Sequence, residues 1–425
     1  MLRIENGRVI DPATGVDEIC ALNIADGKIL GRGKVPENFT PEQTIDASGL
    51  IVCPGLIDLA ARVREPGLEH KATIQSESRA AASAGITTLC VPPDTNPVID
   101  TPAVAEWIES EAHTSGFARL LPIGALTQGL DGARLSEMAE LKQAGCIGVS
   151  NARNPIANNL VARRTLEYAA THDLTLFIEA DDQSLSNGGC AHEGRISTRL
   201  GLPGIPEAAE TLAVATYLLL ARQTGARVHF GRLSSAAAAR MIKQAQDDNL
   251  KVSADVSAHQ LHLTEMDIGE FDSACHLLPP LRTQTDREGL RQALASNSIG
   301  AICSDHQPHE PDAKLAPFAD TEPGISALET LLPLALGMVQ EGVMTINQAI
   351  ARLTQGPADI LGLDLGSLGP GMTADVCVFD PDACWTPGVD NWVSRGLNSP
   401  YMGRPLHGRV IFTVMNGTLV FDRNA

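Results

Sequence analysis

The sequence predicts an α/β protein: a (β/α)8 barrel of the TIM type with a small β-sandwich domain formed from both ends of the chain. Three observations lead to this prediction. In the middle of the chain, eight short apolar runs alternate with helical patterns, which is typical of a parallel sheet with helical crossovers. Eight such units over about 250 residues fit the size of a (β/α)8 barrel. Both ends of the chain consist instead of short strand-like runs separated by turn pairs.

The two ends are expected to form one domain, from residues 1–52 and 366–425. The turn pairs Asn6-Gly7, Asp26-Gly27 and Asn416-Gly417 are strong local signals for hairpins. Strand-like runs lie at 2–4, 8–10, 21–24, 28–30, 44–46, 374–380, 408–414 and 418–421. Because both ends have this character and flank a long α/β region, we expect one sandwich made from both termini.

The region 53–365 is predicted to hold the barrel and trailing helices. Its predicted strands are 56–63, 86–92, 119–126, 146–150, 174–180, 227–233, 251–256 and 298–304. Its predicted helices are 71–84, 102–113, 133–143, 163–171, 206–223, 235–247 and 284–295, followed by a helical segment over 324–361. Chemistry in such barrels lies at the C-terminal ends of the strands, so candidate residues are sought there.

Composition excludes several classes of function. Of the 425 residues, 44% are hydrophobic and 20% are charged, which are values of a globular protein. A net charge of −19 argues against a nucleic-acid surface, which needs clustered Lys and Arg. The nine cysteines form no CxxC pair and are expected to be buried, reduced thiols. No signal peptide is expected, and the apolar run 212–221 is too short to span a membrane, so we expect a cytoplasmic protein.

Several motifs occur in a fixed order along the chain. They include Cys53-Pro-Gly-Leu-Ile-Asp58, Arg64-Glu-Pro-Gly67, Asp94-Thr-Asn-Pro97, Pro279-Pro-Leu-Arg282 and Ser304-Asp-His-Gln-Pro-His309. Over essentially its full length, the chain resembles a class I dihydroorotase of the amidohydrolase superfamily. The resemblance implies an amidohydrolase barrel that hydrolyses or closes the dihydroorotate ring with one or two zinc ions, using an Asp after strand 8 as the base.

The resemblance also implies metal ligands that this chain largely lacks. This chain replaces the family's ligands at four strand ends. They are the His-x-His after strand 1, the carboxylate or carboxylated Lys after strand 4, the His of strand 5 and the second His of strand 6. The residues at the degenerate ligand positions are Ala60, Arg62, Asn151, Glu179, Arg232 and Asp305, of which only Asp305 matches the family. Arginine stays protonated and cannot bind zinc. We therefore expect the zinc site to be lost, with no catalytic residue and Asp305 as a vestigial base.

Two arginines at ligand positions need anionic partners if they are buried. Arg62 and Arg232 supply two cations, and Glu179 and Asp305 supply two anions on adjacent barrel strands. The hypothesis is that guanidinium–carboxylate pairs fill the vacated site. A surviving metal site built from Glu179, Asp305 and the histidines 259, 262, 306 and 309 is the alternative, although the His259-x-x-His262 pair has no positioned third ligand.

The substrate positions that the resemblance implies are mixed. Arg64 and His309 match the residues that would hold the dihydroorotate carboxylate. Asp94 and Leu278 stand where the family has asparagines, and Asp94 places a negative charge where a carboxylate would dock. These four residues are interpreted as a vestigial substrate pocket.

Three functions from different classes remain. The resemblance favours a pseudoenzyme of de novo pyrimidine biosynthesis that associates with aspartate carbamoyltransferase in a large hetero-oligomer, with self-association also expected. A divergent metal-dependent cyclic amidohydrolase, acting on a dihydroorotate-, hydantoin- or allantoin-like ring, is the second. A sensor that binds a pyrimidine intermediate without turnover is the third, supported only by Arg64 and His309.

Overall fold

A computed structural model describes residues 1–34 and 39–424. The strands are β1 (Leu2–Asp11), β2 (Val16–Ala25), β3 (Lys28–Arg32), β4 (Gln43–Asp46), β5 (Ile51–Pro54), β6 (Leu56–Asp58), β7 (Ile86–Val91), β8 (Arg119–Pro122), β9 (Gly124–Ala125), β10 (Val149–Ser150), β11 (Thr175–Glu179), β12 (Ala191–His192), β13 (Gly204–Ile205), β14 (Arg227–Gly231), β15 (Val252–Ser257), β16 (Ala301–Cys303), β17 (Val376–Trp385), β18 (Leu406–Met415) and β19 (Thr418–Asp422).

The α-helices are α1 (Ile74–Ser83), α2 (Pro102–Ser115), α3 (Met138–Gln143), α4 (Asn159–Thr171), α5 (Gln183–Ser186), α6 (Arg195–Leu200), α7 (Glu207–Thr224), α8 (Ala236–Asp247), α9 (Gln284–Ala295), α10 (Leu331–Gln340), α11 (Ile346–Leu353) and α12 (Gln355–Leu361). Short 3-10 turns connect several of them.

The parallel barrel is closed. Strands β6, β7 and β8 pair in that order, and β9 continues β8 before pairing with β10. Strands β10, β11, β14, β15 and β16 follow as parallel neighbours. A parallel bridge between Ala61 and His306 then joins the segment after β16 to the segment after β6. The fold class predicted from the sequence is confirmed. With β8 and β9 counted as one strand, β6 to β16 without the short pair β12–β13 provide its eight barrel strands.

The terminal segments share one eight-stranded sheet, in the order β19-β18-β17-β5-β1-β2-β3 with β4 beside β1. The contact between the two ends of the chain is the antiparallel pairing of β5 with β17. The β2–β3 turn meets the segment that leads into β17, since the Ala374 N–H donates to the Gly27 carbonyl at 2.9 Å. The Gly417 N–H in the β18–β19 turn donates in turn to the Ala374 carbonyl at 2.9 Å. This sheet therefore curls back on itself around the apolar side chains of both termini. The exact limits of the two domains stay a prediction.

One of the three predicted hairpin turns is wrong. Asp26-Gly27 and Asn416-Gly417 do connect adjacent antiparallel strands. Asn6-Gly7 instead lies inside β1, where the pairing with β2 shifts register. A Cβ atom on Gly7 would lie 2.5 Å from Cγ2 of Val52, so the close approach of β5 explains the glycine. The pair lies in a β-bulge, because β1 continues past it and stays paired with β2 on both sides of the register shift.

The helix predictions differ from the structure in several places. The helix predicted over 163–171 begins four residues earlier, at Asn159, because the Asn158 side chain caps it there. The helix predicted over 133–143 begins only at Met138, because Ser136 turns back to donate to the Leu126 carbonyl. The segment predicted over 324–361 is three helices, and its first residues extend along the barrel where Gln307 N–H donates to the Ile325 carbonyl. The short elements α5, α6, β12 and β13 were not predicted.

The thiol prediction holds in large part. Seven cysteines are buried, whereas Cys20 is half-buried and Cys384 is exposed, and all nine are free. No helix within residues 1–34 and 39–424 has the length and apolar character needed to cross a membrane.

Candidate functional site

The candidate site lies where the barrel strands end at their C-termini. Arg62 follows β6, Glu179 is the last residue of β11, Arg232 follows β14 and Asp305 follows β16. Because the carboxyl ends of parallel strands open onto the same end of a barrel, these side chains converge although they are far apart in sequence. All four are buried or nearly so.

Arg232 is the centre of the site. Its Nη1 donates to Oδ1 of Asp305 at 2.6 Å, and its Nη2 forms an ion pair with Oε2 of Glu179. Its backbone lies in the left-handed region with φ of 57°, and its N–H donates to Oδ1 of Asp255 at 2.6 Å. The Arg232 guanidinium is thus held by the carboxylates of Glu179 and Asp305, and the Arg232 backbone is held by the carboxylate of Asp255.

Arg62 completes the network. Its Nε donates to Oδ2 of Asp94 at 2.8 Å, while Glu179 and Asp305 lie 3.7 and 3.6 Å from its terminal nitrogens. The guanidinium–carboxylate pairs hypothesised from the sequence are present, and Asp94 is an additional partner. We call these five residues, Arg62, Asp94, Glu179, Arg232 and Asp305, the ion-pair network.

The network shifts the pKa values of Asp305, Asp94 and Arg62 toward their charged forms. Burial by itself raises the pKa of Asp305, but the cations of Arg232 and Arg62 outweigh this effect, and the pKa of Asp305 is lowered. The pKa of Asp94 is lowered in the same way, with burial opposed chiefly by the charge of Arg62. Burial also opposes the charge of Arg62, yet its carboxylate neighbours raise its pKa above the ordinary value.

The residues present do not fit the zinc ions that the resemblance implies. Ala60 offers only a methyl group, and Asn151 is engaged with the Thr127 hydroxyl at 2.7 Å and the Asn154 carbonyl at 3.1 Å. Both remaining carboxylates, Glu179 and Asp305, already bind guanidinium groups. A cation placed between them would face two arginines that cannot lose their charge.

The histidines of the alternative metal site are not brought together. His306 Nε2 lies 2.8 Å from Oε2 of Glu77, and His262 Nε2 donates to the Leu334 carbonyl at 2.8 Å. His259 is buried, and burial lowers its pKa to about 4. Within the part of the chain that the structure describes, no three or more His, Cys, Asp or Glu side chains are arranged to hold a metal ion.

His229, which matches the first histidine of the family's strand 6 motif, faces the barrel interior. Its Nδ1 lies 2.9 Å from the Ser253 hydroxyl and its Nε2 lies 2.9 Å from Oδ2 of Asp255. The imidazole therefore links β14 to β15 and has no nitrogen left for another ligand.

The residues assigned to a substrate pocket fall into two groups. Arg64 Nη2 approaches His309 Nε2 at 3.0 Å, and Lys71 Nζ lies 3.2 Å from His309 Nδ1. Burial, followed by the charges of Arg64 and Lys71, lowers the pKa of His309 to about 2, so the imidazole is neutral. Asp94 belongs instead to the ion-pair network, and Leu278 is half-buried without a side chain that could form hydrogen bonds.

Little space remains around the network. A cavity of about 20 Å³ borders Arg232 and Glu179 on the solvent side, and one of about 30 Å³ lies below them inside the barrel. A single water molecule needs about 10–15 Å³ of such space, whereas small-molecule sites commonly measure about 300–1,000 Å³. Neither cavity has room for a dihydropyrimidine ring.

Other buried charges near the site were not singled out from the sequence. Arg153 Nη2 binds Oδ2 of Asp181 at 2.9 Å beside the network. Asp58 accepts hydrogen bonds from the backbone N–H and the hydroxyl of Ser304, and burial raises the pKa of Asp58 to about 7. Arg153 stands two residues after Asn151, a replaced ligand position, and this charge beside the position is the sequence signal that could have identified it. Nothing local indicated Asp58, because its partner lies 246 residues away.

Comparison with known proteins identifies the family. A family model described as dihydro-orotase-like matches residues 49–238. A dihydroorotase-like protein of Pseudomonas aeruginosa is 48% identical, and a dihydroorotase of Geobacter sp. (strain M21) is 42% identical, each over 99% of both chains. The L-hydantoinase (dihydropyrimidinase) from Arthrobacter aurescens shares the fold with a TM-score of 0.88 and 22% identity, over 99% of this chain and 96% of that one. The chain therefore belongs to the dihydroorotase-like family.

Proposed function

We propose that this protein is a non-catalytic dihydroorotase homologue that serves as an assembly subunit for aspartate carbamoyltransferase in de novo pyrimidine biosynthesis. One observation carries the non-catalytic part of the proposal. Arg62 and Arg232, paired with Asp94, Glu179 and Asp305, occupy the strand ends where the family resemblance implies zinc.

The pairing also removes the remaining catalytic group. A general base must accept a proton in the reaction and works best with a pKa near the working pH. Asp305 is bonded to Arg232 at 2.6 Å, and its pKa is lowered by the two arginines against the effect of burial. Its carboxylate is therefore a weak base, and its Oδ1 already accepts from Arg232 at 2.6 Å and from the side-chain amide of Gln307 at 3.0 Å.

The network has a structural role that suits a subunit kept for its fold. It connects the ends of barrel strands that are distant along the chain, as bridging metal ions would. Removing one partner of a buried ion pair commonly destabilises a protein by about 3–5 kcal/mol, so the complete set of partners favours a well-defined barrel mouth. The proposal is therefore that ion pairs have replaced the metal as the connection between strands.

The partner follows from the family resemblance. Relatives that have lost their zinc ligands associate with aspartate carbamoyltransferase, and this chain is similar to that group. The relative of Pseudomonas aeruginosa, at 48% identity, is named dihydroorotase-like protein. A stable barrel without chemistry of its own suits an assembly role.

The test of the non-catalytic role uses the purified full-length chain, produced in zinc-supplemented medium. Metal content is measured by mass spectrometry, and turnover is measured with dihydroorotate, carbamoyl aspartate, hydantoin and allantoin. We expect zinc well below one ion per chain and no turnover. One zinc per chain with turnover of any of these rings would overturn the proposal in favour of a divergent cyclic amidohydrolase.

The assembly role is tested separately. A tagged chain should co-purify with aspartate carbamoyltransferase from its own cells, and deletion of the chain should reduce the activity of that enzyme. The Arg64→Ala variant is the control, because Arg64 lies outside the ion-pair network. When this variant is returned to cells that lack the chain, it should restore the activity of aspartate carbamoyltransferase fully. Failure of co-purification would contradict the assembly role, and an effect of Arg64→Ala on the response to pyrimidine intermediates would favour a sensor.

A further inference from the structure

Helix α7 is apolar on two opposite sides. Its inward side chains, among them Ala209, Ala213 and Val214, are buried against the barrel. On the outward side, Leu212 and Leu219 are 51% and 64% exposed. Among the helices of the described residues, α7 is the one that carries two large exposed apolar side chains. A helix that is apolar all round is normally covered on all sides, which leaves the outward face of α7 to be explained.

The outward face has a regular pattern. Ala208, Leu212, Ala215 and Leu219 follow one another at steps of four, three and four residues, which places them in one line along the helix. Ala208 is exposed and Ala215 is half-buried. We call these four residues the α7 seam. It alternates small and large side chains in the spacing of the contact positions of a coiled coil.

The helices on either side of α7 differ from it. The outward residues of α4 include Arg163 and Glu167, and those of α8 include Arg240, Lys243 and Asp247. Both helices thus carry charges of both signs beside the apolar line. In paired helices, such mixed charges flank the apolar contact and set the partner and its orientation.

We propose that the α7 seam binds the same seam of a second copy of this chain, with the two helices antiparallel about a two-fold axis. In this register Leu219 packs on Ala208 of the second copy, and Leu212 packs on Ala215 of the second copy. Each large side chain then meets a small one, so the seam is complementary to itself. Self-complementarity is what a two-fold dimer interface requires and what a foreign partner would not require.

The charges agree with an antiparallel arrangement. Glu207 lies in the first turn of α7, and Arg222 in its last turn pairs with the exposed Asp248 at 2.7 Å. The antiparallel arrangement brings each Glu207 to the end of α7 in the other copy where this exposed Arg222 lies. The opposed helix dipoles add to this attraction. The net charge of −19 per chain opposes association, but charges more than about 8 Å apart are largely screened at physiological ionic strength.

The seam alone is smaller than the roughly 800 Å² per partner of a typical stable interface. The same two-fold axis places α4 against α4 of the second copy. A groove of about 420 Å³ between α4 and α7 lies on this side, and it is lined by Arg163, Glu167, Ala170, Thr171, Gln223 and Thr224. The interface therefore extends from the seam over the groove. This inference rests on the outer surface of the barrel and is independent of the non-catalytic role.

The test measures the mass of the full-length chain in solution by sedimentation and light scattering. We expect an even number of 44.9 kDa chains for the native protein at about 10 µM. Leu219→Lys places a charge over Ala208 of the second copy and should weaken the dimer by about 100-fold or more, which halves the mass. The control Leu315→Lys removes a leucine that is 77% exposed elsewhere and should leave the mass unchanged.

The register is tested by mixing two variants. Ala208→Glu alone should also separate the copies, whereas an equimolar mixture with Leu219→Lys should restore the dimer, because Lys and Glu then meet. Circular dichroism and melting temperature must match the native protein in each variant. A native chain that is monomeric at this concentration, a Leu219→Lys variant with unchanged mass, or a mixture that stays monomeric would overturn the proposal.

Discussion

Replacing Arg232 by methionine is the most direct test of the ion-pair network. Methionine keeps most of the length of the side chain but removes the guanidinium that binds Asp305 at 2.6 Å and also binds Glu179. Both carboxylates would then remain in a site where the Arg232 side chain is only 3% exposed. Arg62 is the cation left near them, at 3.6 and 3.7 Å.

The expected loss of stability follows from this geometry. Removing one partner of a buried pair commonly costs about 3–5 kcal/mol, and the contacts kept by Arg62 place the expected value near 3 kcal/mol. Arg227→Met is the matched control, because Arg227 binds Asp173 at 2.8 Å but its side chain is 42% exposed. An exposed pair of this kind is worth less than about 1 kcal/mol.

The assay is urea unfolding followed by far-ultraviolet circular dichroism, at neutral pH and at lower pH. In the native protein the pKa of Asp305 is lowered, so its stabilising contribution is present above the usual aspartate range and is lost as the pH falls through the lowered value. In Arg232→Met, burial is no longer outweighed and the pKa of Asp305 rises. The stability difference between native and variant should therefore shrink as the pH falls. A loss no larger than that of Arg227→Met, or a difference that does not change with pH, would refute the reasoning.

Three further predictions follow from the structure. The double variant Ala60→His/Arg62→His should bind less than one zinc per chain and show no dihydroorotase activity, because the other ligand strands are unchanged; stoichiometric zinc with activity would contradict this. Ser235→Ala should lower the free energy of unfolding by about 1 kcal/mol because the Ser235 hydroxyl accepts from the third N–H of α8, whereas Thr101→Ala before α2 should have little effect, since Thr101 makes no such bond. The pKa of Asp58 is raised to about 7, so the native protein should lose stability relative to Asp58→Asn as the pH rises from about 4 to about 7. Urea unfolding across that range measures this, and a constant difference in the free energy of unfolding between the two proteins would contradict the reasoning.

The positions of the barrel strands were predictable because their signals are local. A short apolar run, a glycine at a helix end or Pro102 at a helix start is visible within a few residues. The same holds for the hairpin at Asp26-Gly27. Asn6-Gly7 has the same local sequence signal, but it lies at a register shift inside β1, where Val52 of the neighbouring strand β5 lies against Gly7.

The ion-pair network was predictable in part for a different reason. Barrel topology brings all strand ends together, so the identities of Arg62, Arg232, Glu179 and Asp305 were enough to predict that cations and anions meet. The role of Asp94 was not predictable, since only the direction of the Arg62 side chain decides between a substrate pocket and an ion pair. Side-chain direction depends on packing from several strands at once.

By sequence alone, then, the barrel, a β-domain formed from both termini and the replacement of the metal ligands could be inferred, because strand patterns and residue identities are properties of short stretches. Tertiary structure alone decided which charges pair, that His309 is neutral, and that α7 presents leucines to solvent. Each of these depends on distances and burial created by residues far apart in the chain. No local pattern encodes such quantities, and they arise only when the strands close into a barrel.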